Sequence, residues 1–426
     1  MARLVPQGLF GAAPRYLRLL RSQYWPPERL RRYAEDHLAA TMAAAIAIPF
    51  YRGRFHGTPR TDDLARLPVL PRAEIPMLAE SVRSLHAPAV QLLTSSRTSG
   101  SIGMPVSFFY DAAHQASRFA ARARYLRENG WNPLRRSAWL VATGMQSPDS
   151  WFGLRAHLLG IRFISHLTDL DAQAAWLREQ DPFYVYAYPV NLEGLAQIFE
   201  ANRWRLKSLR RIFSGSEVLE DSLRERLRRV FGVPVSDNYG STEAFLAWEC
   251  PKGNYHVNAE HVVIEIVDDN GKAAAPGTMG RILVTTLHNR LMPLVRYEIG
   301  DYAIAARESC SCGRTLPTIG KILGREINLF IDGNGKRFSP WALFRPLTAR
   351  EWVKQFQIGQ RDIGRFVVRF VSERPLAAAD EAEIRAHFET ILRFPATVAF
   401  ERMPQLPRAP SGKFMMALNE CPESGR

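Results

Sequence analysis

Residues 209–243 constrain the fold more than any other stretch. Leu209–Phe213 is apolar and strand-like, and Ser214-Gly215-Ser216-Glu217 follows it as a sharp loop. Leu219–Phe231 then has helical spacing, with Leu223, Leu227, Val230 and Phe231 inward and Arg224, Arg226, Arg228 and Arg229 outward. Gly232 stops this helix, and Val233–Asn238 is a second strand that delivers Tyr239-Gly240-Ser241-Thr242-Glu243. Strand, helix and strand in this order predict a parallel sheet and an α/β fold class. Ligands of such sheets bind at the carboxyl ends of the strands, where both Gly215 and Gly240 fall.

The flanking segments extend this pattern. Pro26–Ile48 carries Leu30, Tyr33, Ala34, Leu38 and Met42 at helical spacing, and Ala112–Gly130 is an amphipathic helix ended by Gly130. Ser137–Thr143 and Phe183–Tyr188 read as compact apolar strands, and Asn191–Asn202 as a helix. Thr61–Ser84 reads as short and turn-rich, punctuated by Pro68, Pro71 and Pro76. His261–Val267 and Gly280–Thr286 are strands with a turn at Asp268–Gly271, and Leu294–Asp301 brings Arg296 and Asp301 to a loop. Beyond Gly324 the texture changes. Phe366–Val371 and Thr397–Phe400 are strands, Asp380–Leu392 is a helix with Ile384, Phe388, Ile391 and Leu392 inward, and Pro404–Phe414 is loop-like. Residues 1–324 are thus expected to form a large domain of sheets flanked by helices, and 325–426 a small, mobile α+β domain.

Between Ala87–Leu93 and Val106–Tyr110 lies Thr98-Ser99-Gly100-Ser101-Ile102-Gly103-Met104-Pro105, a run of hydroxyls and glycines. Glycine lets backbone approach a ligand, and hydroxyls with free N–H groups can bond phosphate oxygens. Charge points the same way: 56 Lys+Arg against 42 Asp+Glu give +14, which suits an anionic partner. The basic residues are scattered in pairs such as Arg210-Arg211, with no basic tail and no nucleic-acid module, so a small anionic substrate is expected rather than nucleic acid. Four cysteines in 426 residues do not make a disulfide scaffold, and a reducing cytoplasm is the expected location. Met1–Leu20 lacks a continuous apolar run, and Leu38–Ile48 is too short to span a membrane.

Four separated pieces then align: Thr98–Pro105, Tyr239–Glu243, Arg296–Asp301 and Ser411-Gly412-Lys413. In this order the chain, from about Tyr51 onward, resembles the adenylate-forming superfamily of acyl-CoA ligases, with particular likeness to the phenylacetate–CoA ligase branch and its capsule-biosynthesis relatives. The resemblance implies ATP-dependent activation of a carboxylic acid, aryl or small organic, and transfer to CoA. Transfer to an amine, a sugar or a carrier protein is the alternative. It also implies roles. Thr98, Ser99, Gly100, Ser101 and Gly103 would lie over the β- and γ-phosphates, Thr242 would touch the α-phosphate, and Glu243 would hold Mg²⁺. Tyr239, Gly240, Gly215, Ser216 and Glu217 would frame the adenine and the carboxylate substrate. Asp301 would accept the ribose hydroxyls, Arg325 would sit near ribose or phosphate, and Lys413 would reach the reacting carboxylate. Trp139, Tyr186, Tyr188 and Tyr239 are the aromatic residues placed to line an acid pocket. Two positions depart from the pattern: Ile102 stands where relatives carry Thr, and Ile327 where they carry a hinge carboxylate. A homodimer is an admissible assembly.

One set of residues stands outside those four pieces. Cys250, His256, Cys310 and Cys312 supply three thiols and an imidazole on two Pro- or Gly-containing turns, a complete tetrahedral set for a structural Zn²⁺. His261 is the alternative imidazole.

Overall fold

The computed structural model describes residues 11–55, 61–86, 94–97, 107–141, 160–325, 328–338, 340–350, 352–407 and 415–421. The chain divides into two compact units, Met1–Ile322 and Leu323–Arg426. The first unit opens with helices α1 (Ala12–Ser22) and α2 (Pro27–Ala47). The segment expected to be turns contains two 3₁₀ turns, Thr61–Arg66 and Arg72–Glu74, and then a helix, α3 (Ile75–Leu85). Pro76 lies in the first turn of α3 rather than breaking it, because that position has no intrahelical N–H bond to lose.

Strands β1 (Thr94–Arg97) and β2 (Ser107–Tyr110) pair antiparallel, with Thr94 opposite Tyr110. The loop residues Thr98, Ser99, Gly100, Ser101, Ile102 and Gly103 lie outside the described residues. Helix α4 (Ala112–Glu128) follows, its N-terminus capped by the Asp111 carboxylate on the His114 N–H at 2.7 Å. Gly130 ends the segment at φ +81°.

Five strands then build the expected parallel sheet: β3 (Ser137–Val141), β4 (Ile161–Ser165), β5 (Tyr184–Ala187), β6 (Arg211–Ser214) and β7 (Val235–Ser236), in the order β4-β3-β5-β6-β7. Helices α5 (Leu170–Gln180), α6 (Pro189–Ala201) and α7 (Asp221–Phe231) cover one face through Leu177, Leu195, Phe199 and Leu227. On the other face Ala121 and Tyr125 of α4 pack on Trp139, Tyr186 and Phe213. Each layer thus buries the apolar stripe that its neighbour also needs to hide. Arg224, expected outward on α7, instead pairs with Glu249 at 3.0 Å and donates to the Val235 carbonyl at 3.0 Å. Helical spacing could not reveal a carboxylate contributed by another strand.

After Ser236 the chain changes sheets. Strands β8 (Asn238–Gly240), β9 (Phe245–Glu249), β10 (Tyr255–Val257), β11 (Val262–Val267), β12 (Met279–Thr286), β13 (Tyr297–Ala305) and β14 (Thr318–Arg325) form a seven-stranded sheet in the order β11-β12-β13-β14-β10-β9-β8. Asp301, expected in a loop, is a buried residue in the middle of β13. The run Tyr297, Ile299, Asp301, Ala303 alternates onto one face, and Gly300 within it carries φ +80°.

A buried ion pair joins the layers. Arg124 of α4, fully buried, donates to both oxygens of Glu260, to Asn258 at 2.7 Å and to the Leu19 carbonyl of α1. Ser22 of α1 donates to the same Glu260 carboxylate at 2.5 Å. A charge buried this deeply persists only when its partners are in place.

In the second unit, β15 (Phe330–Ile331) pairs with β16 (Arg337–Phe338), and helix α8 (Trp341–Thr348) follows. Strands β17 (Val353–Asp362), β18 (Arg365–Ser372), β19 (Thr397–Arg402) and β20 (Ala417–Asn419) form a sheet in the order β19-β18-β17-β20. Helix α9 (Ala378–Leu392) packs on it through Ile384, Phe388 and Leu392. Ile391, expected inward, is 37% exposed, since the inward line follows the four-residue spacing and Ile391 falls beside it. Glu326, Ile327 and Lys413 lie outside the described residues.

Candidate active site

The carboxyl ends of β5, β6 and β7 lead to Tyr188, Gly215 and Asp237 in turn. The chain leaves the parallel sheet here and enters the antiparallel one, so two sheets meet at this edge. In open α/β sheets, ligands bind outside the carboxyl ends of the strands. The backbone is tight. A Cβ on Gly215 would meet Asn238 Nδ2 at 2.5 Å and the Tyr186 hydroxyl at 2.7 Å. Asn238 in turn donates to the Ser214 carbonyl at 2.6 Å, tying the end of β6 to the start of β8. The next residue, Ser216, is exposed and holds φ +71°, a left-handed conformation that costs a non-glycine residue about 1–3 kcal/mol. Glu217 accepts from the Val190 N–H at 3.2 Å, satisfying a free donor in the first turn of α6.

Two residues expected at the nucleotide meet directly: the Tyr239 hydroxyl donates to Asp301 at 2.6 Å. Glu243 is buried, its side chain 1% exposed. Its carboxylate accepts from the Tyr297 hydroxyl at 3.0 Å and faces the Arg72 guanidinium at 3.5 Å. Arg72 also donates to Tyr297 at 2.8 Å, closing a three-residue ring. Ser241 and Thr242 stay partly exposed beside it, as does Gly240.

The backbone of this segment is held from the end of β2 and from α4. Tyr110, at the end of β2, donates to the Thr242 carbonyl at 2.5 Å. His114 donates through Nε2 to the Glu243 carbonyl at 2.9 Å, and Arg118 reaches the Ser241 carbonyl at 3.4 Å. Burial, with Arg118 adding to it, holds the His114 imidazole well below its ordinary pKa despite the bond to Glu243, so the ring is neutral. Three consecutive carbonyls are thus fixed by Tyr110 at the end of β2 and by His114 and Arg118, four apart on one face of α4. Sequence reasoning named none of these three, nor Arg72 and Tyr297. No local spacing signals this anchor, since Tyr110 belongs to β2 and an amphipathic reading of α4 assigns the polar His114 and Arg118 to solvent. Arg296 serves structure: it pairs with Glu265 and donates to the Ala65 and Leu67 carbonyls.

Two of the proposed pocket aromatics, Trp139 and Tyr186, pack against each other. Trp139 and Tyr186 are buried with ring centroids 5.3 Å apart, and the Arg122 guanidinium lies 5.3 and 4.8 Å from them. Tyr188 is half-buried beside His166. Arg325 is the last residue of β14.

A second cluster forms away from that edge. Cys250 follows β9, His256 lies on β10, and Cys310 and Cys312 sit between β13 and β14; their ligand atoms all lie within 4.8 Å of one another. Cys250 Sγ is 3.7 Å from Cys310 Sγ, and Cys312 Sγ is 3.3 Å from His256 Nε2. His256 donates through Nδ1 to the Leu316 carbonyl at 3.3 Å, which leaves the Nε2 lone pair facing the thiols. That orientation is the one a metal-bound imidazole needs.

Three comparisons bear on this arrangement. A model of the AMP-binding enzyme family matches residues 150–289. Phenylacetate-coenzyme A ligase of Thermus thermophilus is 25% identical over 332 residues, 72% of either chain. Both matches are to adenylate-forming enzymes. Protein CapK of Staphylococcus aureus is 27% identical over 225 residues, 49% of this chain and 46% of that one. Among solved structures, 2-hydroxyisobutyryl-CoA ligase in its postadenylation state superposes with a TM-score of 0.76 at 19% identity, covering 94% of this chain and 91% of that one. The chain therefore shares the mixed α/β fold of that ligase.

Proposed function

We propose that the chain activates a carboxylic acid with ATP and passes the acyl group to CoA. The observation that carries this reading is the convergence of Tyr239, Thr242, Glu243 and Asp301 where the two sheets meet, with Tyr239 and Asp301 in direct contact. In the first half-reaction a carboxylate oxygen attacks the α-phosphorus of ATP and the bond to pyrophosphate breaks, leaving an acyl-adenylate. In the second, the CoA thiolate attacks the acyl carbonyl and AMP departs. Neither step needs a covalent enzyme intermediate, so catalysis rests on alignment and charge neutralisation.

The residues divide this work. Asp301 takes the ribose hydroxyls, and Tyr239, Gly240, Gly215, Ser216 and Glu217 frame adenine and the acid. Thr242 donates to the α-phosphate. Glu243 is the carboxylate for Mg²⁺, which when bound neutralises the phosphate oxygens. Thr98, Ser99, Gly100, Ser101 and Gly103 cover the β- and γ-phosphates, and Arg325 lies at ribose or phosphate. Lys413, on the small mobile domain 325–426, neutralises charge in the first step and withdraws before the second. Cys250, His256, Cys310 and Cys312 hold a structural Zn²⁺. Their donor set and spacing fit it, and four protein ligands leave no open position for catalysis. Among the described residues no helix is long and apolar enough to cross a membrane, and a cytoplasmic location suits an enzyme using ATP and CoA with reduced thiols.

Pyrophosphate–ATP exchange across a panel of aryl and small organic acids tests the reading, followed by a CoA assay on the best acid. Acid-dependent exchange and CoA thioester formation are expected. No exchange with any acid overturns the adenylation step. Exchange without thioester formation overturns CoA as acceptor, in favour of an amine, sugar or carrier protein.

A further inference from the structure

Arg15 and Arg18 of α1, Tyr33 and His37 of α2, and His288 and Arg290 after β12 line a cavity of about 270 Å³, completed by Pro14 and Ala113. No carboxylate lines it among the described residues. Among the described residues Arg15 bonds the Gly11 carbonyl of its own chain segment, at 2.9 Å, and Arg18 the Tyr33 hydroxyl at 3.4 Å. Among the described residues none of these three guanidiniums has an ion-pair partner. The nearby Glu260 carboxylate is already committed to Arg124 and Ser22.

The two imidazoles are oriented as well. His37 uses Nδ1 on the Tyr33 carbonyl at 2.8 Å, and its ring stacks on Tyr33 at 4.2 Å. His288 uses Nε2 on the Glu260 carbonyl at 2.9 Å. The rings meet edge to face at 4.6 Å. A nitrogen that donates to a carbonyl carries the proton, so the opposite nitrogen of each neutral ring is a bare acceptor. An O–H of a monoprotonated phosphate matches it, while the guanidiniums match the charged oxygens. A carboxylate brings neither a second charge nor an O–H.

We propose that this cavity is a second anion site, distinct from the candidate active site, that takes a phosphate or diphosphate group. Three cations converging without a carboxylate call for more than one negative charge. The volume exceeds what one phosphate fills and is below the range of a pocket for a drug-sized ligand, about 300–1,000 Å³. A diphosphate or a small phosphomonoester fits that interval. The inference does not depend on the activity proposed above.

Equilibrium dialysis of the full chain against radiolabelled pyrophosphate in EDTA tests it, with unlabelled phosphate and acetate as competitors. One saturable site is expected that Arg15→Gln/Arg18→Gln weakens about tenfold or more. Arg290→Gln, on a separate segment, should weaken the same site and guards against a misfolded helix variant. Glu243→Gln should leave it unchanged. Phosphate should compete and acetate should not. The proposal is overturned by absence of saturable binding, by wild-type binding in both arginine variants, by loss of the site in Glu243→Gln, or by acetate competing as well as phosphate.

Discussion

Glu243 shows how one buried carboxylate can be kept ready for a cation. Its side chain meets Tyr297 at 3.0 Å and Arg72 at 3.5 Å, and neither partner closes a bidentate pair. Tyr297→Phe removes the hydroxyl that orients Glu243 and also receives Arg72. One lost hydrogen bond to a charged group is worth about 1.5–3 kcal/mol, so the Mg²⁺ concentration for half-maximal exchange should rise about tenfold or more. Glu243→Gln should abolish the Mg²⁺ response of that activity. A Tyr297→Phe enzyme with a wild-type Mg²⁺ midpoint would separate Tyr297 from the site. Gly215 makes a different point at the same scale. Its missing side chain is what admits Asn238 and Tyr186 at 2.5 and 2.7 Å. Gly215→Ala should displace Asn238 from the Ser214 carbonyl, cost about 1–3 kcal/mol by urea unfolding and raise KM for ATP. Wild-type stability and KM together would show that the loop absorbs the methyl without moving.

Helix α4 carries two of the three anchors of Ser241–Glu243 and, in His114, one end of a line of buried imidazoles. His114 lies 4.8 Å from His261, which lies 6.0 Å from His288. Burial, then the neighbouring His114 and His288, holds His261 well below its ordinary pKa. Its ring nitrogens have no hydrogen-bond partner among the described residues. A depressed native pKa means that the unfolded chain binds a proton the native chain refuses, so stability falls as pH drops below about 6.5. His261→Leu removes that penalty. Relative to wild type it should gain about 1.4 kcal/mol between pH 7.5 and 5.5 in urea unfolding. A difference that stays constant with pH would mean that His261 titrates alike in both states. This element also shows what the sequence could and could not reveal. The parallel sheet was legible because its strands are short apolar runs joined by a helix whose arginines are nearly all outward. Strand β13 was not, because Tyr297–Asp301 mixes polar residues and a glycine into a strand stabilised by its neighbours. The α3 helix was missed because prolines punctuate a helix start and a turn alike. The contact of Tyr239 with Asp301 joins two residues already named from the motifs, whereas the Tyr110, His114 and Arg118 anchor depends on packing that no local pattern encodes.

At the scale of the molecule, the Cys₃His cluster brings together two segments that are distant in the sequence. Cys250 and His256 flank the turn between β9 and β10, and Cys310 and Cys312 lie sixty residues away between β13 and β14. β10 is a short strand of three residues that pairs with both β9 and β14, so a metal at the cluster would clamp both of its ladders. Burial pushes the Cys250 thiol up to about 11, and a bound cation is what would hold it as a thiolate at neutral pH. The purified chain should contain about one zinc per molecule. Cys310→Ser should lower the zinc content and the melting temperature together, and removal of zinc by a chelator should reproduce that lower melting temperature in the wild type. The candidate active site is built from β8 and β13 of the same sheet and from α4, but shares no residue with the cluster. A structural metal therefore predicts that residual folded, zinc-depleted enzyme keeps its KM for ATP while losing thermal resistance. A chelated enzyme that loses exchange activity at a temperature where it remains folded would instead place the metal in the reaction.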